Sequence, residues 1–178
     1  FQRAVAGLLR MDTATRSDDR FRLEAEVLER LAVSSDFDLL DKVEKSFWSH
    51  AGDPSYRQNV AHCASTARGY ARSTLLDPSR TERAESFITR VRRKLDLAPE
   101  NPGPADMRAA SAVLCAAKGK YAEAERAAWT IGRPDARASA LGDVAKALLL
   151  TGQIDEVRRI ASCSLQDKQV KNLVRLVL

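Results

Sequence analysis

The sequence predicts an all-α fold, arranged as an α-α superhelix of antiparallel helical hairpins. Apolar residues recur with the period of an amphipathic helix, in blocks separated by Pro, Gly, Asp and Ser. Only 6% of the 178 residues are aromatic, whereas alanine, leucine and arginine are abundant, which suits close packing between helices. The segment 119–124 also recurs in altered form at 152–157, and an offset of this size is typical of stacked helical hairpins.

Two hairpins are predicted in the first half of the chain. The first helix opens after Asp18-Asp19, and the second opens at the capping signal Ser34-Ser35-Asp36. The third helix begins at Asp53-Pro54, because proline is tolerated in a first turn, and its partner opens at Asp77-Pro78 or Ser79. The apolar faces of these four helices are Leu23, Val27, Leu28 and Leu31; Phe37, Leu40, Val43 and Phe47; Tyr56, Val60, Cys63, Ala64, Ala67 and Tyr70; and Ala84, Phe87, Ile88, Val91 and Leu95.

The segment 97–104 interrupts the helical pattern, because it contains three prolines and a glycine that forbid a continuous helix. It is either a hinge or a longer loop. The similar pattern on both sides favours a loop within one solenoid segment that spans residues 1–178. Since helical arrays end in polar caps, the missing methionine at position 1 and the apolar ending Val177-Leu178 lead us to expect a section of a larger protein.

Two and a half hairpins are predicted after this segment. Pro134-Asp135 opens the second of them, Gly119 and Gly152 turn the chain between helices, and the last helix lacks a partner. The small and apolar positions are Met107, Ala110, Ser111 and Leu114; Tyr121, Ala124, Ala128 and Ile131; Leu141, Val144, Ala145 and Leu148; Ile154, Val157, Ile160 and Ala161; and Val170, Leu173, Val174 and Val177.

Two segments of this second half share one spaced pattern. Cys115, Gly119, Tyr121, Ala124 and Ala128 correspond to Leu148, Gly152, Ile154, Val157 and Ala161. Together with Pro134, the pattern resembles the tetratricopeptide repeat, although Arg108 stands where that family often has tryptophan and Val157 replaces a small residue. The resemblance implies a superhelix with a concave groove. In bacteria such arrays often serve as sensor or docking segments of larger signalling proteins, and the alanine and arginine content agrees with a bacterial source.

The first hundred residues keep the hairpin rhythm without this signature. Their second helices are predicted to begin at Phe37 and Thr81, and the next second helix begins at Tyr121. These starts are more widely spaced than the two copies of the glycine turn, and the wider spacing also suits repeats of the HEAT or armadillo kind. The first half is therefore predicted as an α-solenoid without a repeat type.

The bulk composition points to a cytoplasmic chain. It contains no run of the roughly 20 apolar residues that a membrane-spanning helix needs, and no signal peptide pattern. Cys63, Cys115 and Cys163 form no Cys-x-x-Cys pair, so neither a disulfide framework nor a zinc site is indicated. A net charge of +5, from 29 basic and 24 acidic residues, describes a mixed surface that admits an acidic partner.

The sequence offers little catalytic chemistry. His50 and His62 are the only histidines, and His62 cannot meet Cys63 as a dyad because adjacent helical residues point about 100° apart. Cys63 is predicted to face the core and His62 the solvent. Gly119-Lys120 lacks the upstream glycine of a phosphate-binding loop, and the carboxylates fit helix caps and ion pairs. We therefore predict a non-enzymatic protein without a cofactor, metal or small-molecule substrate.

Two interaction hypotheses follow. The first is a protein or peptide partner in the concave groove, contacted by arginines and lysine near helix starts and by an aromatic side chain: Arg57, Arg108, Arg137, Lys171 and Trp129. Trp129 is either buried against a neighbouring repeat or exposed in the groove. The alternative is a nucleic-acid-binding module that uses one flank of a helix, formed by Arg83, Arg90 and Lys94; its affinity would fall steeply with salt.

Overall fold

The computed structural model describes Val5, Gly7 and residues 17–32, 34, 36–50, 60–97 and 103–163. Within these ranges the regular structure is entirely helical, which confirms the all-α prediction. The helices are α1 (Ser17–Leu31), α2 (Phe37–His50), α3 (Val60–Leu76), α4 (Thr81–Lys94), α5 (Ala105–Ala117), α6 (Tyr121–Trp129), α7 (Pro134–Leu150) and α8 (Ile154–Cys163), with a 3-10 turn at Pro78–Arg80 before α4. None of the described helices is long and apolar enough to cross a bilayer.

Several helix starts agree with those predicted from the sequence, and two of them follow capping residues. The predicted starts at Phe37, Thr81 and Tyr121 are confirmed. Asp36 Oδ1 accepts a hydrogen bond from the Leu39 amide at 3.1 Å, and Asp77 Oδ1 accepts one from the Ser79 amide at 3.1 Å. Three predictions lie outside the described residues: the start of α3 at 53–54, most of the proline-containing segment, and the final half-hairpin.

The same turn occurs twice, after α5 and after α7. Gly119 and Gly152 have positive φ values of 74° and 76°, in the left-handed region that favours glycine. Each turn is closed by two equivalent backbone hydrogen bonds: Lys120 N to Cys115 O and Gln153 N to Leu148 O, both 2.9 Å, and Gly119 N to Ala116 O and Gly152 N to Leu149 O, both 3.0 Å. The glycine turns predicted from the sequence are confirmed.

Replacing Gly119 or Gly152 with alanine is expected to lower the free energy of unfolding by about 1 kcal/mol in each case. A Cβ atom would meet no atom within 4 Å at either position, so the cost comes from the backbone conformation alone. Chemical denaturation of the two variants measures it. Gly132→Ala is the control, because that position is equally open but has no left-handed φ. A loss at Gly132 as large as at Gly119 would contradict the explanation.

Helix packing follows the order of the chain. We call α1, α3, α5 and α7 the first helices and α2, α4, α6 and α8 the second helices. Each first helix packs on the next one, in the series α1, α3, α5, α7. Each second helix packs on the first helix before it, and α4 and α6 also contact the first helix that follows. Small residues permit the close crossings: at Gly69 of α3 a Cβ atom would lie 3.2 Å from the Glu29 Cα atom of α1.

Two hydrophobic clusters form the core, and α5 contributes to both of them. The first cluster joins α1 to α4 with Met107, Ala110 and Val113 of α5. The second joins α6 to α8 with Ala109, Ala112 and Ala116 of α5. Helix α5 is therefore apolar on two faces, and each face is covered by a different half of the chain.

Four aromatic side chains dominate the first cluster. Tyr70 and Phe87 stack with ring centres 4.1 Å apart, and Phe87 also lies 5.1 Å from Trp48 and 5.9 Å from Phe47. All four side chains are buried. Phe87 is the central ring, since it contacts one aromatic residue of α3 and two of α2.

Candidate functional site

The structure describes the side chains of Cys63, Cys115 and His62. Cys63 is fully buried in the core, as predicted, and His62 beside it is half-buried. Burial raises the pKa of the Cys115 thiol above its usual value, which lowers its thiolate fraction. The side chains of His50 and Cys163 lie outside the described residues. Among the side chains that the structure describes, no group of three or more His, Cys, Asp or Glu residues could hold a metal ion.

Of the residues predicted to line a concave groove, Arg108, Arg137 and Trp129 are described, whereas Arg57 and Lys171 lie outside the described residues. The Arg108 guanidinium donates to the Gly103 carbonyl at 3.1 Å and to the Thr130 carbonyl at 2.6 Å, so it joins the start of α5 to the end of α6. These two hydrogen bonds use two of the five N–H donors of the guanidinium group.

Of the two alternatives predicted for Trp129, buried or exposed, the structure shows the exposed one, with 37% of its surface accessible. Its indole Nε1 donates to Glu125 Oε1 at 3.3 Å, one turn earlier on α6. The Arg137 guanidinium of α7 lies over the indole ring, 5.6 Å from the ring centre. The structure thus brings two of the predicted contact residues together on the surface.

A cleft of about 830 Å³ lies between α2 and α4. We call it the α2–α4 cleft. One face of each helix lines it: Asp41, Glu44, Lys45, Trp48 and Ser49 from α2, and Ser79, Glu82, Arg83, Ser86 and Arg90 from the 3-10 turn and α4. Side chains of both charges line the cleft, and two contacts bridge it.

Both bridges use the basic flank predicted on α4. The Arg83 guanidinium donates to Asp41 Oδ1 at 2.6 Å and to Glu44 Oε2 at 2.8 Å. The Arg90 guanidinium stacks over Trp48, 4.2 Å from the ring centre, and remains exposed. Lys94 is also exposed. Two carboxylates already neutralise Arg83. An anion that bound to this flank would therefore meet only the charges of Arg90 and Lys94.

The Tyr70 hydroxyl donates to Glu44 Oε2 at 2.8 Å, beneath the ion pair with Arg83. Burial, followed by the charge and hydrogen bond of Glu44, raises the pKa of the Tyr70 phenol far above its usual value. Its proton is therefore held in the folded chain at pH values where an unfolded tyrosine loses it.

Because of this shift, the free energy of unfolding is expected to fall as the pH rises above about 10, where the unfolded Tyr70 ionises and the folded one does not. Below about pH 10 both states keep the proton, so the phenol contributes no pH dependence there. Denaturant unfolding of the wild type and Tyr70→Phe on both sides of this pH isolates the contribution. If the two proteins lost stability in parallel as the pH rose, the raised pKa of Tyr70 would be disproved.

A second polar cluster connects three first helices, and we call it the α3–α7 network. It consists of Arg68 and Arg72 of α3, Asp106 of α5, and Ser139 and Asp143 of α7. Asp143 Oδ2 accepts from Arg68 Nη2 at 3.1 Å and from Arg72 Nε at 2.8 Å. Ser139 Oγ accepts from the same two arginines, at 2.6 and 3.2 Å, and Asp106 Oδ1 lies 3.5 Å from Arg68 Nη1.

Burial distinguishes the two arginines of this network. The Arg68 side chain is 10% exposed and the Arg72 side chain is 37% exposed, so the network has a buried end and an open end. The Arg68 Nε atom is buried and has no hydrogen-bond acceptor among the described residues. The network thus holds a buried positive charge between stacked first helices.

The sequence predictions did not include this network. The available signal was a pair of arginines four residues apart in a helix that, apart from His62, otherwise carries small, hydroxyl and apolar residues, VAHCASTARGYARSTLL. Their partner Asp143 is 71 and 75 residues away in the chain. Only the stacking of α3, α5 and α7 brings them together.

No protein-family model matches this chain, and comparison with curated proteins and with solved structures finds no significant match. The tetratricopeptide resemblance therefore stays a prediction. It depends on the matching segments 115–128 and 148–161 and is consistent with the equivalent turns at Gly119 and Gly152.

Proposed function

We propose that the chain is a segment of a tetratricopeptide-like α-solenoid with a non-catalytic role, the docking of a protein or peptide partner on the face formed by its first helices. The order of helix packing supports the solenoid, because each first helix stacks on the next along the chain. The equivalent turns at Gly119 and Gly152 support a hairpin as the repeating unit.

The observation that carries the docking role is the α3–α7 network. Helical-repeat proteins bind partners with side chains that successive repeats place on one shared surface. Here α3, α5 and α7 each contribute charged or hydroxyl side chains to one cluster, although these residues are far apart in the sequence. Arg72 is the more accessible of the two arginines, since 37% of its side chain is exposed against 10% for Arg68. It adds to the groove residues predicted from the sequence, Arg57, Arg108, Arg137 and Lys171.

A peptide-display selection against the full chain tests this function. Selected peptides are expected to bind at least about 10-fold more weakly to Arg72→Ala than to the wild type, which is the loss of one charge-assisted contact. Arg90→Ala is the control, because Arg90 is an exposed arginine on the other layer of helices. A selection that yields no binding peptide would contradict the docking role, and a loss confined to Arg90→Ala would move the docking surface to the α2–α4 cleft.

The second candidate function is nucleic-acid binding through the basic end of α4. It is favoured by the exposed Arg90 and Lys94, together with Arg92 and Arg93 in the same last turn. Under this alternative, binding of single-stranded DNA or RNA weakens steeply with salt and is lost in the triple alanine variant of Arg83, Arg90 and Lys94. Fluorescence anisotropy across a salt series measures it. Absent or salt-insensitive binding would eliminate the alternative.

A further inference from the structure

Hydrogen-bond donors outnumber acceptors in the α3–α7 network. An arginine side chain presents five N–H donors. Both guanidinium groups reach Asp143 through the same atom, Oδ2, and both reach the Ser139 hydroxyl oxygen. Asp106 adds only one contact, at 3.5 Å, and the buried Arg68 Nε atom has no acceptor among the described residues. The two arginines therefore share the single carboxylate of Asp143.

This convergence has the geometry of a carboxylate clamp. Arg68 and Arg72 are four residues apart on α3, so they lie on one helix face and their like charges repel unless an anion lies between them. A carboxylate held by two guanidinium groups is a strong, charge-assisted arrangement. The exposed part of Arg72 opens the clamp to solvent on one side.

We propose that Arg68 and Arg72 form a carboxylate-binding site, that Asp143 occupies this site as an internal ligand, and that an acidic side chain of a peptide partner binds there in its place. The identity of the ligand as a peptide rests on the proposed docking function. The carboxylate site itself rests only on the geometry of the network.

The charges of the network favour one carboxylate over a phosphate group. Once Asp143 is displaced, two arginines face Asp106, which leaves a net charge of +1 at the site. A single carboxylate neutralises this charge, whereas a doubly charged phosphate would leave an excess negative charge beside Asp106. The expected partner is therefore a peptide segment that presents glutamate or aspartate.

Titration of the full chain with hexaglutamate tests the site. In Asp143→Asn the internal carboxylate no longer competes, so hexaglutamate is expected to bind roughly 10-fold more tightly than to the wild type, or better. The gain is expected to disappear in the double variant Asp143→Asn with Arg72→Gln. Asp135→Asn is the matched control, because it removes the same charge from an exposed position of α7. An equal gain in Asp135→Asn, or none in Asp143→Asn, would overturn the proposal.

Two further arms complete the test. Inorganic phosphate is titrated into Asp143→Asn, and a stronger response to phosphate than to hexaglutamate would refute the carboxylate assignment. If Asp143→Asn does not fold, weak binding of hexaglutamate is compared between the wild type, Arg72→Gln and Arg126→Gln, an exposed arginine of α6. The site predicts a loss for Arg72→Gln only, and equal losses in both variants would overturn it.

The two proposals can fail separately. If selected peptides need Arg72 but Asp143→Asn gains no affinity for hexaglutamate, docking stands and the internal-ligand proposal falls. If Asp143→Asn binds hexaglutamate tightly but no peptide is selected by the wild type, the carboxylate site stands and the docking function falls.

Discussion

Phe87→Ala is expected to lower the free energy of unfolding by about 3–5 kcal/mol. Phe87 is 2% exposed and lies between Tyr70 of α3 and the two aromatic residues of α2. Its removal leaves a cavity lined by rings from two other helices, and these rings are too large and too constrained to fill it. Urea denaturation followed by circular dichroism gives the free energy directly.

Phe37→Ala provides the matched control. Phe37 is 45% exposed, and its ring lies 5.1 Å from the guanidinium of Arg80, in a cation–π interaction. The same change of side chain is expected to cost about 1 kcal/mol or less at this position. If the two variants lost equal stability, burial in the aromatic cluster would not be the source of the Phe87 effect.

Arg68→Met is expected to lower the free energy of unfolding by about 3 kcal/mol. Methionine preserves much of the apolar volume, so the loss comes from the charge and its hydrogen bonds. Asp106 loses its arginine partner, and Asp143 keeps only Arg72. The effect is large because the Asp143 side chain is only 15% exposed, so the loss of one of its two arginine partners is poorly screened by water.

The same substitution at Arg72 is the control for this prediction. Arg72 belongs to the same network but is partly exposed, so Arg72→Met is expected to cost about 1 kcal/mol or less. Thermal and urea unfolding of the two variants can be compared at neutral pH. If Arg68→Met were as stable as the wild type, the cost of desolvating the charged groups of the network would cancel the attraction between them.

Local features of the fold could be predicted from the sequence. The start of α2 follows from the capping residue Asp36, and that of α4 from Asp77, which caps the 3-10 turn before it. The start of α6 follows from apolar periodicity after the glycine turn. The turns at Gly119 and Gly152 follow from the glycines themselves, since only glycine adopts the left-handed conformation at little cost. Such interactions span only a few residues, so they can be recognised in the local sequence.

Contacts between helices could be predicted only in part. The sequence placed Arg83, Arg90 and Lys94 on one flank of α4, but it could not show that Asp41 and Glu44 of α2 neutralise Arg83. That pairing depends on the angle and distance between two helices that are well separated in the chain.

The α3–α7 network was missed for a related reason. Arginine four residues from arginine is normally a solvated helix face, because charged side chains are rarely buried without a partner. The partner Asp143 is supplied by a helix four places further along the chain, and no local pattern identifies it. Predicting the network would have required the register of three stacked helices.

The double role of α5 limits how the chain can be divided into fragments. A fragment that begins at Ala105 keeps α5 but exposes Met107, Ala110 and Val113 to water, and a fragment that ends before Ala105 loses the same three side chains from its own core. Neither piece keeps a complete apolar interior. We therefore expect cleavage within the proline-containing segment to yield two halves that stay associated, and dissociation of these halves to promote aggregation through the uncovered surface of α5.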